Sequence, residues 1–98
     1  MAVYVAMWSI DESRTDDTST SERMMERLAI VEHRRNPTLD NVAWIKTYLT
    51  ADDLHTFLHA ALHKEDALFV CQLNKGEYQG WLKADTWNWI DVASESQS

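Results

Sequence analysis

Two stretches of this chain have the alternation of a strand but carry apolar side chains on both faces. Ala2 to Ile10 is rich in Val, Tyr and Trp. In Leu39 to Leu49, Val42, Trp44 and Tyr48 share one face, Ala43, Ile45 and Leu49 share the other, and only Lys46 and Thr47 interrupt. Side chains two apart in a strand lie on the same face, so each stretch needs cover on both sides. Both therefore read as strands inside a sheet. At 98 residues the chain makes one domain, expected over residues 1–93 with a polar tail at 94–98.

Helical signals separate the strands. Ser19-Thr20-Ser21-Glu22 has the form of a capping box. Met24, Met25, Leu28 and Val31 follow at three- and four-residue steps, which predicts a helix as far as about Arg34, stopped by Asn36-Pro37. Thr50 caps a second helix whose apolar face is Leu54, Phe57, Leu58, Ala61 and Leu62, ending near Lys64. Ala67 to Leu73 reads as a strand. Asn74-Lys75-Gly76 reads as a hairpin turn, Tyr78 to Leu82 as a short edge strand, and Ala84 to Asp91 as a terminal helical turn or two. A bend near Asp40-Asn41 would split the Leu39–Leu49 segment into two strand pieces. The order is then β-α-β-β-α-β, an α+β ferredoxin-like plait with a C-terminal strand and short helix, and two helices on one face of an antiparallel sheet. The opposite face, bearing Trp44, Tyr48, Tyr78 and Trp81, is expected to be bare and to serve as a homodimer interface.

Composition narrows the function. Sixteen acids against nine bases give a net charge of −7, which argues against broad phosphate-backbone binding. The excess is that of a soluble surface, or of a chain that docks on a basic partner or imitates nucleic acid. No run is long and apolar enough to span a bilayer. The single Cys71 excludes an intrachain disulfide, reads as a buried inert thiol, and makes a cytoplasmic setting the default expectation.

The strand ending Trp8-Ser9-Ile10-Asp11, the segment Val42-Ala43-Trp44-Ile45, the helix start Thr50-Ala51-Asp52-Asp53-Leu54, and above all Asp66-Ala67-Leu68-Phe69-Val70 with Gly80-Trp81-Leu82 and Trp87-Asn88-Trp89-Ile90 bear a family likeness. The chain resembles the SinR-type proteins of the superfamily of small CRISPR-associated ferredoxin-like nucleases, with virulence-associated protein D, a toxin ribonuclease, as a more distant relative. The resemblance spans nearly the whole chain and implies a dimer joined through its sheets. In active members it implies an Asp at the tip of the first strand of each subunit, holding a divalent metal. The matching residue here is Ser9, a neutral hydroxyl, with Asp11 two residues on. The resemblance thus implies an interaction or regulatory module without cofactor. The alternatives are a Mg²⁺- or Mn²⁺-dependent nuclease using Asp11 and an acidic inhibitor docking through Asp16 and Asp17.

Three further groups carry possible chemistry. His55, His59 and His63 recur every four residues, a spacing that can present imidazoles to one metal, or simply a polar helix face. Asp11, Glu12, Asp16 and Asp17 make the densest acidic cluster, a cation or docking site if not a solvated loop. Trp81, Trp87 and Trp89 could stack bases, but few cations are near, which favours packing.

Overall fold

The structure is a computed structural model and describes residues 1–11 and 17–95. Its elements are β1 (Ala2–Ser9), α1 (Asp17–Leu28), β2 (Glu32–Arg34), β3 (Val42–Thr47), α2 (Ala51–His59), β4 (Ala67–Leu73) and α3 (Ala84–Glu95). The four strands form one antiparallel sheet in the order β2-β3-β1-β4, consistent with the ferredoxin-like plait. The two doubly apolar segments become the two inner strands, β3 and β1.

Register fixes the faces. Tyr4 lies opposite Ile45 and Ala6 opposite Ala43 in one ladder, and Ala6 opposite Val70 and Trp8 opposite Leu68 in the other. Tyr4, Ala6, Trp8, Ala43 and Ile45 therefore share a face, and they pack against Met24 and Leu28 of α1 and Leu54 and Leu58 of α2. The Tyr4 hydroxyl donates to the Leu49 carbonyl at 2.9 Å, so this buried phenol keeps a partner. Thr50 caps α2 as the sequence predicts, its Oγ1 accepting from Asp53 N at 3.1 Å, with Asp52 and Asp53 in the favoured first turn.

Five local expectations are corrected. The first helix stops at Leu28 instead of reaching Arg34. Bonds from Ile30 N to Arg27 O and from Val31 N to Leu28 O tighten its exit, and the chain then enters β2. Val31 continues the helical apolar spacing, which hides this boundary in the sequence. The plait's second strand is thus Glu32–Arg34; the chain does turn at Asp40-Asn41, but residues 39–41 form no strand, so the Leu39–Leu49 segment supplies one strand and not two. Asn41 takes φ 55° just before β3, a conformation Asn tolerates, and its carbonyl accepts from Trp8 N at 3.0 Å.

The other three corrections concern the end of the second helix and the C-terminal segment. The second helix closes at His59, and the chain leaves it through Ala61 N to Leu58 O and Leu62 N to His59 O. Beyond β4 the turn forms, with Glu77 N bonded to Asn74 O and Gly76 at φ +85°, where a side chain would be strained. The expected strand Tyr78–Leu82 does not form. Tyr78 stacks on Trp87 instead, with ring centroids 6.3 Å apart, and its hydroxyl meets Ser94 Oγ at 2.7 Å. Ser94, expected to open a polar tail, is buried at the end of a helix longer than the sequence suggested.

That C-terminal segment covers part of the second sheet face. Val3, Val5, Trp44 and Arg34 share this face by register. Arg34 pairs with Asp85 of α3. The buried Asn36 accepts at Oδ1 from Lys83 N and from Thr86 Oγ1, both at 3.1 Å. Its Nδ2 donates to Thr38 Oγ1. A single amide in the β2–β3 connection thereby anchors the start of α3, and Trp44 is left only 8% exposed.

Candidate functional site

The tip of β1 is where the resemblance would put a metal. Ser9 ends the strand, exposed and opposite Ala67. Asp11 follows, half-buried, and its backbone N–H donates to Asp66 Oδ1 at 2.8 Å. The other oxygen of Asp66, Oδ2, accepts from His63 N at 2.8 Å. Asp66 is a buried carboxylate that clasps the end of β1 to the turn before β4. Next to it, Arg23 of α1 lies 3.1 Å from His63 Nε2 and donates to Thr20 Oγ1. Arginine offers only donors, so this contact is a hydrogen bond when Nε2 is the acceptor. On the preceding residue, the Arg35 guanidinium lies 5.6 Å from the Trp8 ring centroid, while Trp8 Nε1 and Arg35 Nε are buried without a partner.

These donors do not fit a magnesium site within one protomer. Ser9 offers a neutral hydroxyl, both Asp66 oxygens already serve backbone N–H groups, and hard cations favour several free oxygens. Among the described residues no group of three or more His, Cys, Asp or Glu could hold a metal ion. The histidine series is divided: His55 and His59 stack on α2 with centroids 5.4 Å apart, but His63 lies past the helix end, beside Arg23. Glu12 and Asp16 lie outside the described residues, and Asp17 is described only as the backbone start of α1.

Of the four residues expected at an interface, Trp44, Tyr78 and Trp81 line one cleft and Tyr48 lies apart from them. Trp44 is under α3 and Tyr78 is stacked on Trp87. Tyr48 is 84% exposed just past β3, beside a cleft it shares with Tyr4, Leu49 and Gln72. Trp81 is 98% exposed, so packing does not account for it.

The part of the second sheet face that stays open lies on β1 and β4 instead. Met7 and Phe69 are register partners there, 42% and 58% exposed. Cys71, expected to be buried, is exposed two residues along the same face, on the edge strand β4. The sequence signal for this surface was the alternation of Leu68 and Val70 with Phe69 and Cys71, which the register resolves into an inner and an outer set.

The two sheet edges differ. β2 is three residues long and reads Glu32-His33-Arg34, short and charged, as protected edges usually are. β4 is seven residues, Ala67 to Leu73, without a charge or a proline. No protein-family model matches the chain, and no curated protein sequence matches it.

Proposed function

We propose that this chain is a homodimeric interaction module, joined through the β4 edge and the open Met7–Phe69 surface, and not a metal nuclease. The observation that carries this reading is the contrast between the guarded β2 edge and the long uncharged β4 edge. An unguarded edge presents unpaired N–H and C=O groups, and the usual outcome is pairing with another chain. A second copy suits it. With a two-fold axis at Val70, antiparallel β4 strands set Phe69 against Cys71 of the other copy, so no like charges meet across the ladder. The resemblance to the small CRISPR-associated ferredoxin-like superfamily agrees with a dimer. Ser9 at the metal position, with Asp66 spent on backbone groups, agrees with a scaffold that no longer cleaves. An exposed Cys71 thiol suits a reducing, cytoplasmic setting.

The test is sedimentation of the wild-type chain and Phe69→Lys. Wild type is expected to be a dimer at micromolar concentration. The variant places a cation at a self-complementary surface twice over and is expected to be monomeric with unchanged circular dichroism. Phe69 is already exposed in the single chain, so its replacement should shift stability by no more than about 0.5 kcal/mol. Wild type that stays monomeric removes the proposal.

A further inference from the structure

We propose that the cleft between the second sheet face and the C-terminal segment binds a small quaternary ammonium compound. This cleft, of about 330 Å³, is lined by the aromatic residues Trp44, Tyr78, Trp81 and Trp87 together with aliphatic residues including Leu82 and Ile90. None of its lining residues carries a formal charge. The volume lies at the small end of ligand pockets and admits a whole small molecule. Four aromatic residues in one lining offer a specific chemistry: the negative faces of indole and phenol attract a cation, indole most strongly. A methylated ammonium fits best, because its methyl groups match the apolar lining and it asks for no hydrogen bonds.

Charge points the same way. The chain carries −7, so its field draws cations and repels phosphates and carboxylates. Elsewhere in the described residues two arginines already sit over rings, Arg27 over Phe57 and Arg35 over Trp8. Among the described residues no Lys or Arg sits over the four rings of this cleft. An adjoining cleft shares Tyr78 and Trp87 and brings Asp91 and Lys75 to its wall. The Tyr78 ring is held by its hydroxyl contact to Ser94 and its stack on Trp87, so this wall is set before a ligand arrives. Trp81 is 98% exposed and keeps a ring face available.

The experiment is a tryptophan-fluorescence titration with choline and with its neutral carbon isostere, 3,3-dimethylbutanol. Choline is expected to saturate with a dissociation constant on the order of 1 mM or below, and the isostere to bind at least about tenfold more weakly. Trp81→Ala, which removes no buried packing, is expected to weaken choline about tenfold or more. Gly80→Leu is a second variant: a Cβ there would lie 3.7 Å from the Trp87 ring, an ordinary contact, and the longer side chain would occupy the cleft. This variant should abolish saturation. The proposal is overturned if choline does not saturate, if the isostere binds equally, or if both variants bind as wild type does. Tighter binding of a trimethyllysine peptide or of phosphatidylcholine vesicles than of free choline would also overturn it. So would loss of self-association in Trp81→Ala, which would assign the cleft to a second copy.

Discussion

Two buried polar side chains hold this molecule's distant parts together, and each makes a separate prediction. Asn36 satisfies Lys83 N, Thr86 Oγ1 and Thr38 Oγ1 from one buried amide. Asn36→Ala leaves buried donors without an acceptor, which costs about 1–3 kcal/mol. For a domain of this size that lowers the melting temperature by roughly 5–20 °C, measurable by thermal unfolding. Arg34 and Asp85 join the same two elements but are 38% and 66% exposed, so Asp85→Ala should cost less than about 1 kcal/mol. An equal loss in both variants would contradict the role given to Asn36. Asp66 is the second such residue, with backbone bonds to both Asp11 and His63. Asp66→Ala should destabilise by about 1.5–3 kcal/mol, while Asp11→Ala should leave no nuclease activity to lose. Mg²⁺- or Mn²⁺-dependent cleavage of RNA or DNA that vanishes in Asp11→Ala would refute the non-catalytic reading.

At the level of elements, β4 and α3 divide the second sheet face between them. Hydrogen exchange should show β4 amides gaining protection as concentration rises, while those of the charged β2 edge stay unchanged. Equal protection of both edges would argue against pairing through β4. Much of this architecture was legible. The alternation in Ala2–Ile10 and Leu39–Leu49, and the Thr50 cap, are local signals, and the chain obeys them. Where legibility failed, a remote contact decided. Val31 satisfies a helical period, but Arg34 pairs opposite Trp44 and makes that stretch a strand. Tyr78 to Leu82 has strand composition, but Tyr78 finds Ser94 and Trp87 instead of the β4 edge. Asn36 and Thr86 lie fifty positions apart, and no local pattern announces that bond. The candidate surfaces suffered the same way. Trp44 and Phe69 are both aromatic residues on strands, and only the docking of α3 decides which of them is covered.

For the whole molecule, net charge and association oppose one another. Two copies at −7 each repel, and at low salt that repulsion reaches across the interface. Raising ionic strength from about 0.05 M to about 0.5 M shortens the screening length and should tighten the dimer. An assembly held by cross-copy ion pairs would loosen instead. The shape allows such an assembly, since β4 stands at the margin of the sheet and is the longer of its two edge strands. The most direct measurement is sedimentation equilibrium of wild type beside Phe69→Lys. The account predicts twice the chain mass for wild type and the single-chain mass for the variant, with matching circular dichroism. A wild-type monomer throughout, or a variant that dimerises as well as its parent, would contradict it.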